Sequence, residues 1–207
     1  MSKLFQKIQS LKNSSVRTKV NKRIEEFKKI NKNSSDELFK EMCFCILTAN
    51  FSAERSMLIH NQLSKYFITD SRETLATKLK KCGYRFPNTR ASYIIESTKC
   101  KDTLQTMISS LKGEERREWL VKNIKGLGFK ESSHFLRNIG FDDYAIIDSH
   151  ILDLLERYKF IKPPKTLTRK KYMEIEKILQ TIATKTNLTL AELDLYLWYM
   201  ETGKIFK

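Results

Sequence analysis

Two residues in this chain have types and spacing suited to covalent chemistry, Lys130 and Asp148. Lys130 ends the heptapeptide Ile-Lys-Gly-Leu-Gly-Phe-Lys, and Asp148 follows eighteen positions later within Ala-Ile-Ile-Asp-Ser-His-Ile. Gly126 and Gly128 flank one apolar residue between two helix-forming stretches. Glycines at that spacing allow a tight turn and leave backbone N–H groups bare at the start of the next helix. Such a turn binds a phosphate oxygen without reading sequence. A lysine and a carboxylate at the edge of a phosphate-gripping hairpin point to chemistry on nucleic acid. Each residue also has a plainer reading. Lys130 could be a phosphate-binding lysine in a hairpin that only holds DNA, and Asp148 the N-cap of a helix over Ser149–Tyr158.

The elements that must position these groups are helices. Six Gly and three Pro in 207 residues leave few breaks. Ser34 with Glu37, Asp70 with Glu73 and Thr189 with Glu192 have capping-box spacing, and Ser52, Asn88 and Asp102 suit N-caps. Apolar residues recur at three and four, as in Phe39, Met42, Cys43, Ile46, Leu47 and in Ile175, Ile178, Leu179, Ile182. The pattern predicts an all-α chain of about ten to twelve helices. Only Tyr144–Ile147 suits extended backbone, and it is too short for a sheet. Joints fall at Gly83–Asn88, Lys112–Gly113 and Lys162–Lys165, and no repeat of fixed period occurs.

Other reactive side chains form no metal pattern. Cys43, Cys45, Cys82 and Cys100 lack paired metal-ligand spacing and read as buried free thiols. The three histidines, His60, His134 and His150, make no zinc motif. The basic, amphipathic N-terminus with Leu4, Phe5, Ile8 and Leu11 lacks a signal-peptide core, and no apolar run could span a bilayer. The cytoplasm, in association with the nucleoid, is the expected location.

Hairpin, lysine and aspartate together resemble the helix-hairpin-helix–GPD superfamily of DNA glycosylases. Within it the chain is most similar to the compact, mostly archaeal type 2 form of 8-oxoguanine DNA glycosylase/AP lyase. The resemblance rests on Lys125–Lys130, on Ala145–His150, and on a chain that stops at Lys207 soon after an aromatic helix. Ile46-Leu47-Thr48-Ala49-Asn50 is a weaker echo. The chain departs from the pattern in two places. Lys125 replaces the proline that often precedes the first hairpin glycine, and Tyr144-Ala145-Ile146-Ile147 replaces the Gly-Pro of the superfamily's name. No cysteine follows Asp148, so the iron–sulfur cluster of the endonuclease III branch is not expected.

The resemblance implies one glycosylase unit over 1–207 with two helical subdomains and the active-site cleft between them. The central subdomain would cover about 35–123, the second 1–34 with 140–207, and the helix-hairpin-helix 122–139. Lys130 would attack C1′ and form a Schiff base that permits β-elimination, while Asp148 balances oxocarbenium charge. Lys125, Gly126, Gly128 and His150 would bind phosphates, and Asn50 would fill the gap opposite the flipped base. His134, on the Lys130 face, would approach base or sugar. Asp194 and Trp198, four apart on one helix, suit a flipped purine, with Phe86 as the opposite stacking wall. Lys207 would join base recognition, because a free α-carboxylate accepts from both N1–H and N2–H of a guanine edge. No cofactor is required, with at most a monovalent cation at the hairpin.

Bulk charge agrees with that partner. The chain carries 39 Lys+Arg against 24 Asp+Glu, a formal net charge of +15, which favours a polyanion through counterion release. The expected partner is double-stranded DNA with a damaged base, bound by a monomer away from any membrane. Two alternatives remain at this stage. One is a non-catalytic helix-hairpin-helix DNA-binding module, and the other is a glycosylase/lyase for another oxidised base.

Overall fold

The computed structural model describes residues 3–30 and 34–207 and contains twelve α-helices and no β-strand among them. The helices are α1 (Lys3–Lys12), α2 (Val16–Ile30), α3 (Ser35–Thr48), α4 (Ala53–Leu63), α5 (Arg72–Lys81) and α6 (Pro87–Ser97). They continue as α7 (Lys101–Ser110), α8 (Gly113–Asn123), α9 (Phe129–Asn138), α10 (Ser149–Arg157), α11 (Arg169–Thr186) and α12 (Leu190–Thr202). The chain divides into two compact units, Ile30–Phe135 and the residues up to Lys29 with Leu136–Lys207. The division falls inside α9, within the 122–139 span read as the helix-hairpin-helix.

In the Ile30–Phe135 unit, α3 is the centre. Ten of its residues, from Leu38 to Thr48, are buried, and α4, α6 and α7 pack on it. A helix apolar on all sides must be surrounded. Cys43 and Cys45 lie inside this core, and burial pushes the Cys43 thiol well up. Cys82 and Cys100 are only half-buried, a departure from the sequence expectation, because they sit at helix ends.

The other unit packs α1 against α11 and α12, and α10 and α11 against α12. Val16, Val20 and Phe27 of α2 meet Leu195 and Tyr196 of α12, and Ile205 packs against the same cluster. Leu4 and Ile8 bury the inner face of α1. At Gly140 the chain passes so close to α2 that a β-carbon would lie 2.9 Å from Lys28 Cα. No helix of the described residues is long and apolar enough to cross a membrane.

Capping follows side-chain chemistry with three corrections. Ser34, Ser52, Thr168 and Thr189 cap their helices, and Thr189 with Glu192 completes a capping box. Ser71 caps α5 in place of Asp70, whose carboxylate pairs instead with Lys78 at 2.7 Å. Asn88 lies inside α6, because Pro87 takes the first helical position and Phe86 the cap. Asp102 is likewise inside α7, behind Cys100.

One carboxylate expected in base recognition belongs to this framework. Asp194 is buried and forms an ion pair with Arg137, whose guanidinium also bonds Asn138 Oδ1 at 2.7 Å and lies over Phe27. A carboxylate so engaged is withdrawn from the donors of a flipped base. Asp194→Ala leaves a buried cation without its partner and is expected to cost about 3–5 kcal/mol, measured by chemical denaturation. Arg137→Met combined with Asp194→Leu should recover most of that loss.

Candidate active site

The hairpin is built from α8, a turn over 124–128, and α9. Ile124 ends α8 in extended backbone, and the Leu127 N–H donates to the Ile124 carbonyl at 3.2 Å. Gly126 has φ +91°, and a β-carbon there would lie 2.5 Å from Cδ2 of Tyr93. Only glycine satisfies both conditions. The two legs are tied by Arg117, fully buried, which bonds Ser133 Oγ at 3.1 Å, pairs with Glu114 and lies over the Phe129 ring.

Lys130 is the second residue of α9 and is half-buried. Its ammonium lies 3.3 Å from Glu131 Oε1, and the other oxygen of Glu131 accepts from the Gly128 N–H at 3.3 Å. From the sequence alone that amide is expected to be bare. The structure fills it with a carboxylate three residues on, a position from which a side chain can fold back onto the helix start. Lys125 Nζ pairs with Glu96 at 3.1 Å.

Helix α6 connects the hairpin to two other predicted residues. Phe86, Arg90 and Tyr93 recur at four and three along one face. Among the described residues, Phe86 is one of the few large apolar side chains left exposed. Arg90 is buried, lies over both the Phe86 and Tyr93 rings, and donates to the Ala49 carbonyl at 2.8 Å. Tyr93 is the ring beneath Gly126. The turn after α3 is further held by Tyr84, whose hydroxyl donates to the Leu47 carbonyl at 2.7 Å and is pushed up by burial. Asn50 is exposed on this braced turn in the left-handed region, φ 57°, a conformation asparagine tolerates. Arg90 and Tyr93 were missed in the sequence because an arginine and a tyrosine on an amphipathic helix carry no distinctive spacing.

His134 does not reach out with Lys130. It is 8% exposed and packs edge-on against Phe44, with centroids 5.8 Å apart. Four helical residues turn slightly more than a full circle, and α9 turns that face into the core.

In the other unit, Asp148 is the N-cap of α10 and accepts from the Ile151 N–H at 3.0 Å. The buried segment leading to it is irregular and is held by α11. Glu176 Oε1 accepts from the Ala145 N–H at 2.8 Å, and the Tyr172 hydroxyl donates to the Ala145 carbonyl at 2.7 Å. His150 is exposed and meets Trp198 edge-on, centroids 5.2 Å apart. Lys207 ends a half-buried stretch anchored by Ile205 in the α2–α12 cluster. No group of three or more His, Cys, Asp or Glu among the described residues could hold a metal ion.

Comparison with known proteins assigns this arrangement a lineage. The 8-oxoguanine DNA glycosylase family model matches residues 20–188. The 8-oxoguanine DNA glycosylase/AP lyase of Methanocaldococcus jannaschii is 50% identical over 206 residues, 99% of each chain. The protein of that name from Korarchaeum cryptofilum is also 50% identical, over 99% of this chain and 98% of its own. The crystal structure of the M. jannaschii 8-oxoguanine glycosylase/lyase with a 15mer DNA containing 8-oxoguanine is similar with a TM-score of 0.95, covering 99% of each chain.

The turn itself gives a test. Gly126→Ala meets the Tyr93 ring and an unfavourable φ together, so it is expected to cost about 1–3 kcal/mol in thermal unfolding.

Proposed function

The chain belongs to the 8-oxoguanine DNA glycosylase family, and from that membership we propose that it excises 8-oxoguanine from duplex DNA and then cleaves the abasic strand. The observation that carries the reading is 50% identity, over 99% of both chains, to an enzyme crystallised on 8-oxoguanine DNA. A purely DNA-holding hairpin has no need of the accompanying lysine and aspartate.

In this reading the hairpin amides and Lys125 grip the backbone, and His150 takes a further phosphate. Asn50, on its braced turn, enters the gap left by the flipped nucleotide. The base lies against Trp198, Phe86 is the second stacking surface, and the Lys207 end of the chain reads the base edge. Lys130 Nζ, as the neutral amine, attacks C1′. The glycosidic bond breaks, and the base leaves with its electron pair. The two protons of the attacking amine pass to the departing base and to O4′ as the sugar opens to an imine on Lys130, and loss of a C2′ proton to water then expels the 3′ phosphate. The charge of Asp148 stabilises the cationic sugar, while its cap bond fixes the direction of the carboxylate. Both groups come from the chain, so no cofactor enters these steps. A monovalent cation at the turn carbonyls, a monomeric state and work at the nucleoid belong to the same proposal.

Borohydride trapping on a duplex with one 8-oxoguanine tests it. The wild type should give a covalent adduct, and Lys130→Gln should bind the duplex, excise nothing and give no adduct. Asp148→Asn retains an oxygen for the Ile151 amide, so stability should drop by less than about 1 kcal/mol while excision falls by orders of magnitude. Excision by Asp148→Asn within about threefold of wild type would reduce this residue to a cap.

The base end is tested through its anchor. Ile205→Ser loosens the last residues from the α2–α12 cluster. Excision of 8-oxoguanine should fall by about tenfold or more, since small misplacements are costly in such sites. Cleavage at a preformed abasic site should fall much less, because no base is held there.

A further inference from the structure

Glu131 has no role in the steps above, yet it makes the contacts that matter most to them. Neighbouring residues of a helix point about 100° apart and do not normally meet. Lys130 and Glu131 nevertheless pair at 3.3 Å, because Glu131 folds back to the helix start and its second oxygen accepts from the Gly128 N–H. The carboxylate sits close over the turn, where a β-carbon built on Gly128 would lie 3.2 Å from Glu131 Oε2. Both side chains are largely covered, at 24% and 17% exposure. Among the described residues, Glu131 is the only ion-pair partner of Lys130.

A carboxylate on that amide has the charge and acceptor geometry of a phosphate oxygen. The amide has a single hydrogen, so carboxylate and phosphate compete for it. We propose that Glu131 is a latch on the nucleophile: its carboxylate stands in for a backbone phosphate at the hairpin and holds Lys130 until DNA displaces it. The latch makes and breaks no covalent bond, because one acceptor replaces another on the Gly128 N–H. A phosphate in duplex DNA arrives with many further contacts, whereas Glu131 has only this turn. Once the carboxylate leaves, Lys130 loses the geometry that fixed it and is available to the sugar. The inference rests on the glycosylase/lyase reading of the hairpin.

Glu131→Gln separates the latch from a simple cap. The amide oxygen of Gln can still accept from Gly128, so the fold is kept and only the charge on Lys130 is lost. Reductive methylation of the DNA-free protein, read peptide by peptide by mass spectrometry, should label Lys130 about two- to fivefold faster in Glu131→Gln, the worth of one partly exposed ion pair. Glu96→Gln should accelerate labelling of Lys125 and not of Lys130. Affinity for a short undamaged duplex should rise by a similar factor in Glu131→Gln, because phosphate no longer displaces a charged competitor. In single turnover on an abasic duplex, the variant should move half-saturation more than the plateau. Wild-type labelling of Lys130 in Glu131→Gln, unaltered affinity, or a change mainly in the plateau would each overturn the latch. Failure of the wild type to trap on the abasic duplex would instead overturn the lyase reading itself.

Discussion

The close passage of the chain over Tyr93 at Gly126 constrains everything around the hairpin. A positive φ turns the backbone back on itself, and the ring beneath leaves no space for a β-carbon. Helix α9 therefore begins at Phe129, which puts Lys130 in the first turn, where the backbone amides still point outward. The same Tyr93 belongs to the face of α6 that carries Arg90 and Phe86, so the hairpin and the Asn50 turn are braced by one helix.

Buried arginines do much of the fastening. Arg117 ties the legs of the hairpin, Arg90 ties α6 to the end of α3, and Arg137 pairs with Asp194 in the other unit. A buried cation is tolerated only with close acceptors, which makes each one stringent about geometry. In a chain with a formal net charge of +15, these three arginines face inward as fasteners rather than adding to the outer charge.

Two carboxylates combine helix capping with a proposed part in the chemistry. Asp148 accepts from the Ile151 N–H, and Glu131 from the Gly128 N–H. The first turn of a helix offers unsatisfied donors, so an acid there is held in place and favoured by the helix dipole. The same donors suit a phosphate, which is why a site acting on DNA would gather at helix starts.

The sequence by itself determined the helical class, the glycine hairpin, the capping role of Asp148 and the position of Lys130 at a helix start. These are local properties: periodicity, a glycine at positive φ and an acceptor just before a helix depend on residues within a few positions. Tertiary structure decided which face each helix turned inward. It buried His134 against Phe44, although the residue shares a stripe with Lys130. It committed Asp194 to Arg137, fifty-seven positions away, where helix spacing alone paired it with Trp198. It brought Arg90 to the Ala49 carbonyl across forty-one positions. Such contacts depend on which long-range partner satisfies a buried charge or fills a gap in packing, and the chain forms them only when its helices are assembled.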